Sequence, residues 1–336
     1  MKRFAFFWFI LLGVPLAHSQ TNLAPGITIL LDDKAAMELT AGLSLYQIPA
    51  GITGKVVSAG SAAASILVNR WASEFAAIFP GVKFDLRGGG SQAGMQDLLE
   101  GKADLVTFTR PLPEEYVARF KARFGYEPAQ IMVAQDAIGV YVNKTNPVAG
   151  LTLAQLDAIY SRTPKRGGGQ PEFWGDLGVT GPLAAQRIDR ISLTRVHGTY
   201  LYFRDFVMQG GDYRLNVIFE IVPSSLVQAV GSDDAGIGLS SVMFATARTR
   251  FVPLQGSDGV YRLPTYEETV SGRYPLTRPI LIVFNRKPDG TMNPAAREFL
   301  RFAVTRRGQR IIALGTNYPL TVEQQKEALR VLEGPP

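Results

Sequence analysis

The sequence predicts an α/β protein: a parallel sheet with helices on its faces. Two observations carry this. From residue 55 onward, short β-patterned runs alternate with longer helical runs, and glycine or proline stands at the joins. The length, 336 residues, corresponds to about two domains at roughly 150 residues each. Apolar residues make up 46% and charged residues 19%, which supplies real cores and excludes disorder or coiled coil as the main state.

Residues 1–19 are an address. Lys2 and Arg3 precede an apolar run over 4–17, and Ala17 and Ser19 are small residues at the two sieve positions of a signal peptidase site. The layout predicts a secretory signal peptide cut after Ser19. The rival reading, an uncleaved anchor, needs 18 or more apolar residues, and Pro15 interrupts this run. Cleavage removes two cations, so the formal charge falls from +6 to +4, and it removes His18, leaving His197 as the mature chain's only imidazole.

Residues 20–51 carry turn formers (Pro25-Gly26, Asp32-Asp33, Pro49, Gly51) and read as an N-terminal arm with a short helix over 34–43. A strand follows over 55–59. A helix is expected over 62–79, because Leu67, Trp71, Phe75 and Ile78 share one face at helical period, and Pro80-Gly81 stops it. A strand over 82–86, a glycine loop over 88–91, a helix over 92–100 and a strand over 103–108 complete a strand–helix–strand–helix–strand run. Beyond it come a strand over 138–142 and a helix over 152–160 opened by the capping box Thr152/Gln155. A glycine-rich loop (166–170) and an aromatic helix over 200–208 follow. Then come a helix over 223–230 with proline at its start, a strand over 236–240 and an apolar strand over 279–285. Helices over 294–305, 308–314 and 321–332 end the chain, with Asn293 and Thr321 as caps of the outer two.

Composition excludes much chemistry. There is no cysteine, hence no disulfide, thiolate metal site, cysteine nucleophile or lipid-modified cysteine. Two histidines do not make a histidine metal site or a histidine-rich catalytic centre. Lys and Arg are scattered and never form a run of five, so the basic balance is surface solvation rather than a nucleic-acid footprint. No Walker A motif, dinucleotide fingerprint or G-x-S-x-G elbow occurs.

Three segments share one grammar, a small-residue loop feeding a helix: 60–65, 88–91 and 195–199. A helix start offers unpaired N–H donors and partial positive charge, small residues let a tetrahedral anion approach, and hydroxyls or a nearby arginine add donors. Arg110 and Arg195 stand beside such loops. A tight turn with an N-cap is the commoner explanation of any one of them, and it is their convergence that points to an anion. The first two fall at carboxyl ends of strands, where open α/β sheets bind ligands. His197 reads either as a hydrogen-bonded loop histidine or as a ligand donor.

At these loops the chain resembles the PstS-like periplasmic phosphate-binding proteins of ABC transporters. The matching stretches come in order: Gly60-Ser61 with the Trp71/Phe75 helix and Pro80-Gly81-Val82; Gly89-Gly90-Ser91; Leu99-Glu100-Gly101-Lys102-Ala103-Asp104; Thr109-Arg110-Pro111-Leu112; Ala137 through Asn143; Asn146-Pro147; Leu151 through Leu156; Trp174-Gly175-Asp176-Leu177-Gly178; Gly198-Thr199-Tyr200; Gly236-Ile237-Gly238; Tyr274-Pro275-Leu276-Thr277-Arg278-Pro279; and Phe299-Leu300-Arg301-Phe302. Together they span about residues 50–325.

The resemblance implies a two-lobed periplasmic binding protein (type II), each lobe a mostly parallel sheet flanked by helices. Lobe one would be 52–138 plus 275–336 and lobe two 139–274. It implies capture of phosphate or a related oxyanion in the cleft for an ABC importer, by Ser61, Ala62, Ser91, Thr109, Arg110, Arg195, His197, Gly198 and Thr199. It further implies no catalysis and no cofactor, a periplasmic monomer without a lipid anchor, and an inner-membrane permease as partner. The chain departs from the pattern in three places. Ala62 and Ala63 stand where the family carries a hydroxyl or acid, His197 replaces a serine, and the third loop is two or three residues short. These departures motivate a second reading, a non-transport sensor or adaptor with an altered anion site.

Overall fold

The structure is a computed structural model that describes residues 32–315 and 317–334. The signal peptide and the first part of the arm lie outside the described residues. The arm's one helix, α1 (Asp33–Leu39), starts where Asp32 caps the Ala35 N–H.

The alternation from residue 55 is as the pattern dictates. Strand β1 (Gly54–Gly60) leads into helix α2 (Ala62–Ile78), strand β2 (Val82–Gly89) into helix α3 (Gly90–Leu99), and strand β3 (Leu105–Phe108) follows. Trp71 and Phe75 of α2 are wholly buried, and the Trp71 indole N–H donates to Gly308 O at 2.9 Å. The glycines at 88–91 were expected as a loop. Instead β2 runs through Gly89 and α3 starts at Gly90, because Gly89 and Gly90, at φ 103° and 87°, turn the chain between them.

Helix α4 (Glu114–Phe124) was not anticipated, although its signals are present: Glu114 and Glu115 in the first turn, Lys121 and Arg123 in the last, and Gly125 at φ 82° as the stop. Strand β4 (Ala129–Asn143) is far longer than the apolar stretch 138–142. Its first half carries Gln130, Gln135 and Asp136, which hid the strand pattern. Then come α5 (Leu153–Tyr160), with the Thr152/Gln155 box formed, β5 (Asp189–Leu193), and α6 (Gly198–Tyr202), which widens into a π-turn over Phe203–Val207. Next are β6 (Ile218–Glu220), α7 (Pro223–Ser232), β7 (Gly236–Ser241), β8 (Thr249–Phe251), the small ribbon β9 (Leu254–Gln255) and β10 (Tyr261–Arg262), and α8 (Tyr266–Val270). Strand β11 (Thr277–Phe284) returns the chain to the first strands, and α9 (Pro294–Val304), α10 (Arg306–Ala313) and α11 (Val322–Glu333) close it, with Asn293 and Thr321 acting as caps.

One sheet runs through the molecule in the order β2-β1-β3-β11-β4-β7-β5-β6, with β8 beside β4. Its two wings are parallel: β1 with β2 and β3, and β5 with β6 and β7. The centre is antiparallel, because β4 and β11 cross between the wings. The first part of β4 pairs with β11 as far as Ala137, opposite Thr277, and from Ile138, opposite Ser241, it pairs with β7. Separate cores flank this switch. One gathers Trp71, Phe75, Phe299 and Phe302 under the first wing; the other gathers Tyr141, Tyr160, Trp174 and Phe203 under the second. No helix among the described residues is long and apolar enough to cross a membrane.

Candidate functional site

Three carboxyl-terminal strand ends meet on one edge of the first wing. Gly60 lies against Thr107 so closely that a Cβ there would sit 2.5 Å from Thr107 O, and the Ser61 N–H donates to that carbonyl at 3.1 Å. Gly94 of α3 likewise packs on Gly60, its added Cβ falling 2.9 Å from Gly60 N. The starts of α2 and α3 are thereby drawn together around the end of β3. Neither start has a side-chain cap or an acidic residue in its first turn, so their first N–H groups keep their donor capacity. Ser61 is the N-cap of α2 and Ala62 its first helical residue. Ser91 Oγ donates to Thr107 O at 3.0 Å, which commits its proton inside the protein.

The second wing faces this edge through α6. Thr109, 4% exposed, follows β3, and Gly198 opens α6; a Cβ on Gly198 would meet Thr109 Oγ1 at 2.7 Å. The two wings are thus in contact at this point. Thr199 is buried beside Gly198. Arg110 reaches across to Asp205 on the π-turn, Nη1 to Oδ2 3.6 Å, with both side chains partly exposed.

His197 and Arg195 sit differently. The His197 N–H donates to Thr194 O at 3.0 Å, closing a tight turn that holds Arg195 exposed at its tip beside Val196. The His197 ring approaches Ile221 O at 2.5 Å. A carbonyl only accepts, so Nε2 carries the proton, and the imidazole ties the turn to the chain after β6.

Behind Gly198 and Thr109 lies a group that motif reading passed over. Arg278 on β11 stands directly opposite Asp136 on β4, beside the partner switch. Both are nearly inaccessible. Arg278 Nε and Nη2 donate to Asp136 Oδ2 at 2.9 and 2.8 Å, and Ser241 Oγ at the end of β7 donates to Asp136 Oδ1 at 2.6 Å. Arg278 Nη1 is buried and has no partner, and it lies 3.9 Å from the Cβ position of Gly198. Tyr202, whose hydroxyl donates to Thr277 O at 2.9 Å, closes the wall beside it. Burial pushes that phenol up to about 12 against the opposing pull of Arg278, so it stays neutral at neutral pH. No local signal singles Arg278 out: it lies between Thr277 and Pro279, just before the apolar run 279–285 that marks the strand in the sequence.

These parts bring two uncapped helix starts, the Thr109 hydroxyl and a buried guanidinium together where the two wings meet. Among the described residues no group of three or more metal-ligating side chains is gathered.

Comparison with known proteins agrees with this architecture. Residues 47–307 match the family model described as PBP superfamily domain. The phosphate-binding protein PstS of Pseudomonas aeruginosa is 32% identical over 300 residues, covering 89% of this chain and 93% of the relative. An ABC-type phosphate transport receptor from Vibrio cholerae superposes with a TM-score of 0.65 at 21% identity, over 79% of this chain and 100% of that one. PstS from Borrelia burgdorferi gives 0.58 at 18% identity, over 80% and 99%. At those identities the two structures speak for the fold, while the family match and the Pseudomonas relative, each spanning most of the chain, show that it belongs to the PBP superfamily as a PstS-like solute-binding protein.

Proposed function

We propose that the chain is a periplasmic solute-binding protein that captures phosphate, or a related tetrahedral oxyanion, between its lobes and presents it to the permease of an ABC importer. The lobes are 52–138 with 275–336, and 139–274; the change of partner along β4 at Ala137/Ile138 supports that division. The observation that carries the reading is the meeting of Thr109 from one lobe with Gly198 from the other, beside two uncapped helix starts. The name of the Pseudomonas relative supports phosphate as the solute.

Binding proceeds by closure. In the open form the starts of α2 and α3 face solvent. The anion settles on their N–H groups and on Ser61 and Thr109, then draws in Gly198 and Thr199 as the lobes hinge about β4 and β11. Closure removes water, which strengthens each charge-assisted hydrogen bond. No bond is made or broken, so the protein works without turnover or cofactor. The mature chain is a monomer, released by signal-peptide cleavage and not tethered by lipid.

Titration calorimetry of the mature protein with phosphate, sulfate and arsenate tests this. A ligand that binds only the folded state also raises the melting temperature, by RT ln(1 + [L]/Kd) in stability. Heat and a melting shift with phosphate are expected. Silence with every oxyanion would favour the second reading, a sensor or adaptor with an altered site, which Ala62, Ala63 and the outward Arg195 motivate.

A further inference from the structure

We propose that Arg278 is the guanidinium of the anion site: Asp136 and Ser241 hold it at the crossing of the two hinge strands so that its free Nη1 donates to the ligand's oxygens. The inference rests on the oxyanion reading above and names the cation of that same cleft.

The argument begins with donor capacity. A guanidinium carries five N–H donors in a rigid plane and is never deprotonated. Here the Nε edge and Nη2 grip one oxygen of Asp136, and the other oxygen is taken by the Ser241 hydroxyl. This side-on grip satisfies the carboxylate and turns Nη1 away from it. Two N–H groups of a charged side chain that is 2% exposed are then left without a partner. Native proteins rarely leave such groups unpaired, and a bound ion is one of the partners that resolves such an exception.

Direction decides which partner. Nη1 lies 3.9 Å from the Cβ position of Gly198, which in turn meets Thr109 Oγ1 at 2.7 Å where the two lobes touch. Register makes the aim rigid, because Arg278 and Asp136 are directly opposed on antiparallel strands. The pair is neutral overall before binding, so the site holds a cation without a large standing charge. A positively charged nitrogen with two free N–H donors suits an anion whose oxygens surround a compact centre, whereas an organic cation is repelled by it. Position adds a second consequence. Both hinge strands and the end of β7 meet at this cluster, so an anion on Nη1 touches both crossing segments as the lobes close.

The test uses the full mature chain. Arg278→Lys keeps a cation beside Asp136 but has a single ammonium on a longer flexible stem, with no second edge to offer the cleft. Its phosphate affinity is expected to fall at least tenfold while its ligand-free melting temperature stays within a few degrees of wild type. Should that variant not fold, the neutral pair Asp136→Asn with Arg278→Gln removes both charges together and is expected to show the same loss. Phosphate bound within threefold of wild type by either folded variant overturns the assignment and leaves the solute-binding reading standing. Failure of the wild type itself to bind phosphate, sulfate or arsenate overturns both.

Discussion

Gly198 leaves no room for a side chain against Thr109, and Gly198→Ala tests the closed geometry directly. The residue is at the start of α6 and not at a positive φ, so alanine fits the backbone. Alanine is also favoured over glycine in a helix by about 1 kcal/mol. Folding is therefore unharmed. The new methyl, however, lands 2.7 Å from Thr109 Oγ1. A comfortable non-bonded separation is about 3.5 Å, so the methyl and Thr109 Oγ1 must separate by roughly 0.8 Å, by turning Thr109 or parting the lobes. Charge-assisted hydrogen bonds sit near 2.7–2.9 Å, and one stretched by about 0.8 Å is lost. A hydrogen bond to a charged group is worth about 1.5–3 kcal/mol, which at about 1.4 kcal/mol per decade predicts a roughly 10- to 150-fold weaker phosphate affinity. Calorimetry gives the affinity, and thermal melting without ligand gives the fold. An affinity within threefold of wild type, at an unchanged melting temperature, would refute the claim that the anion is held between Thr109 and Gly198.

Asp157 predicts a stability effect away from the cleft. It is fully buried and accepts from the Ser161 hydroxyl and from the Lys165 and Arg166 N–H groups at 2.7 and 2.8 Å, so it anchors the glycine-rich loop. Asp157→Ala strands three donors and is expected to cost about 3–5 kcal/mol, read as a lower melting temperature with phosphate affinity nearly unchanged. Alkaline pH should destabilise the fold through its tyrosines. Burial raises the Tyr202 phenol to about 12 and drives Tyr141, Tyr160 and Tyr274 well above their ordinary value. The unfolded chain releases these protons near pH 10 and the folded chain does not. Stability is therefore level below about pH 10 and falls as pH rises toward 12, by about 3 kcal/mol for Tyr202 alone. Denaturant melts between pH 8 and 12, followed with phenolate absorbance, check this; ionisation of all twelve tyrosines before unfolding would contradict it. Finally, phosphate affinity should fall no more than about threefold between 50 and 500 mM salt, since Arg278 is matched by Asp136 and Arg110 faces Asp205, leaving fixed N–H dipoles rather than loose surface charge to do the binding. A tenfold loss would point to surface cations.

What the sequence disclosed follows the range of the interactions involved. The Trp71/Phe75 face, the Thr152/Gln155 box and the Asn293 and Thr321 caps are written in residues three or four apart, and each formed. The length of β4 was hidden because its first half mixes Gln135 and Asp136 among apolar residues, and what makes them tolerable there is distant in sequence. The Asp136 carboxylate meets an arginine 142 residues away, and the backbone of Gln135 bridges to that of Tyr318. Helix α4 was legible from its terminal charges and Gly125 and was passed over. In the cleft, the small-residue loops marked the neighbourhood, because tight turns and close approach leave a local trace. The arrangement of the cations left none. Arg195 was singled out for its adjacency to a loop, yet the three-residue reach from Thr194 to His197 closes a turn that carries it outward. Arg278 lay in a strand motif with nothing local to distinguish it from a surface arginine. Only the register of β11 on β4, fixed by strands that cross between lobes, turns it inward and supplies the carboxylate that makes its burial tolerable. A buried charge is a statement about non-local pairing, so one sequence discloses the loops that surround an anion sooner than the charge that answers it.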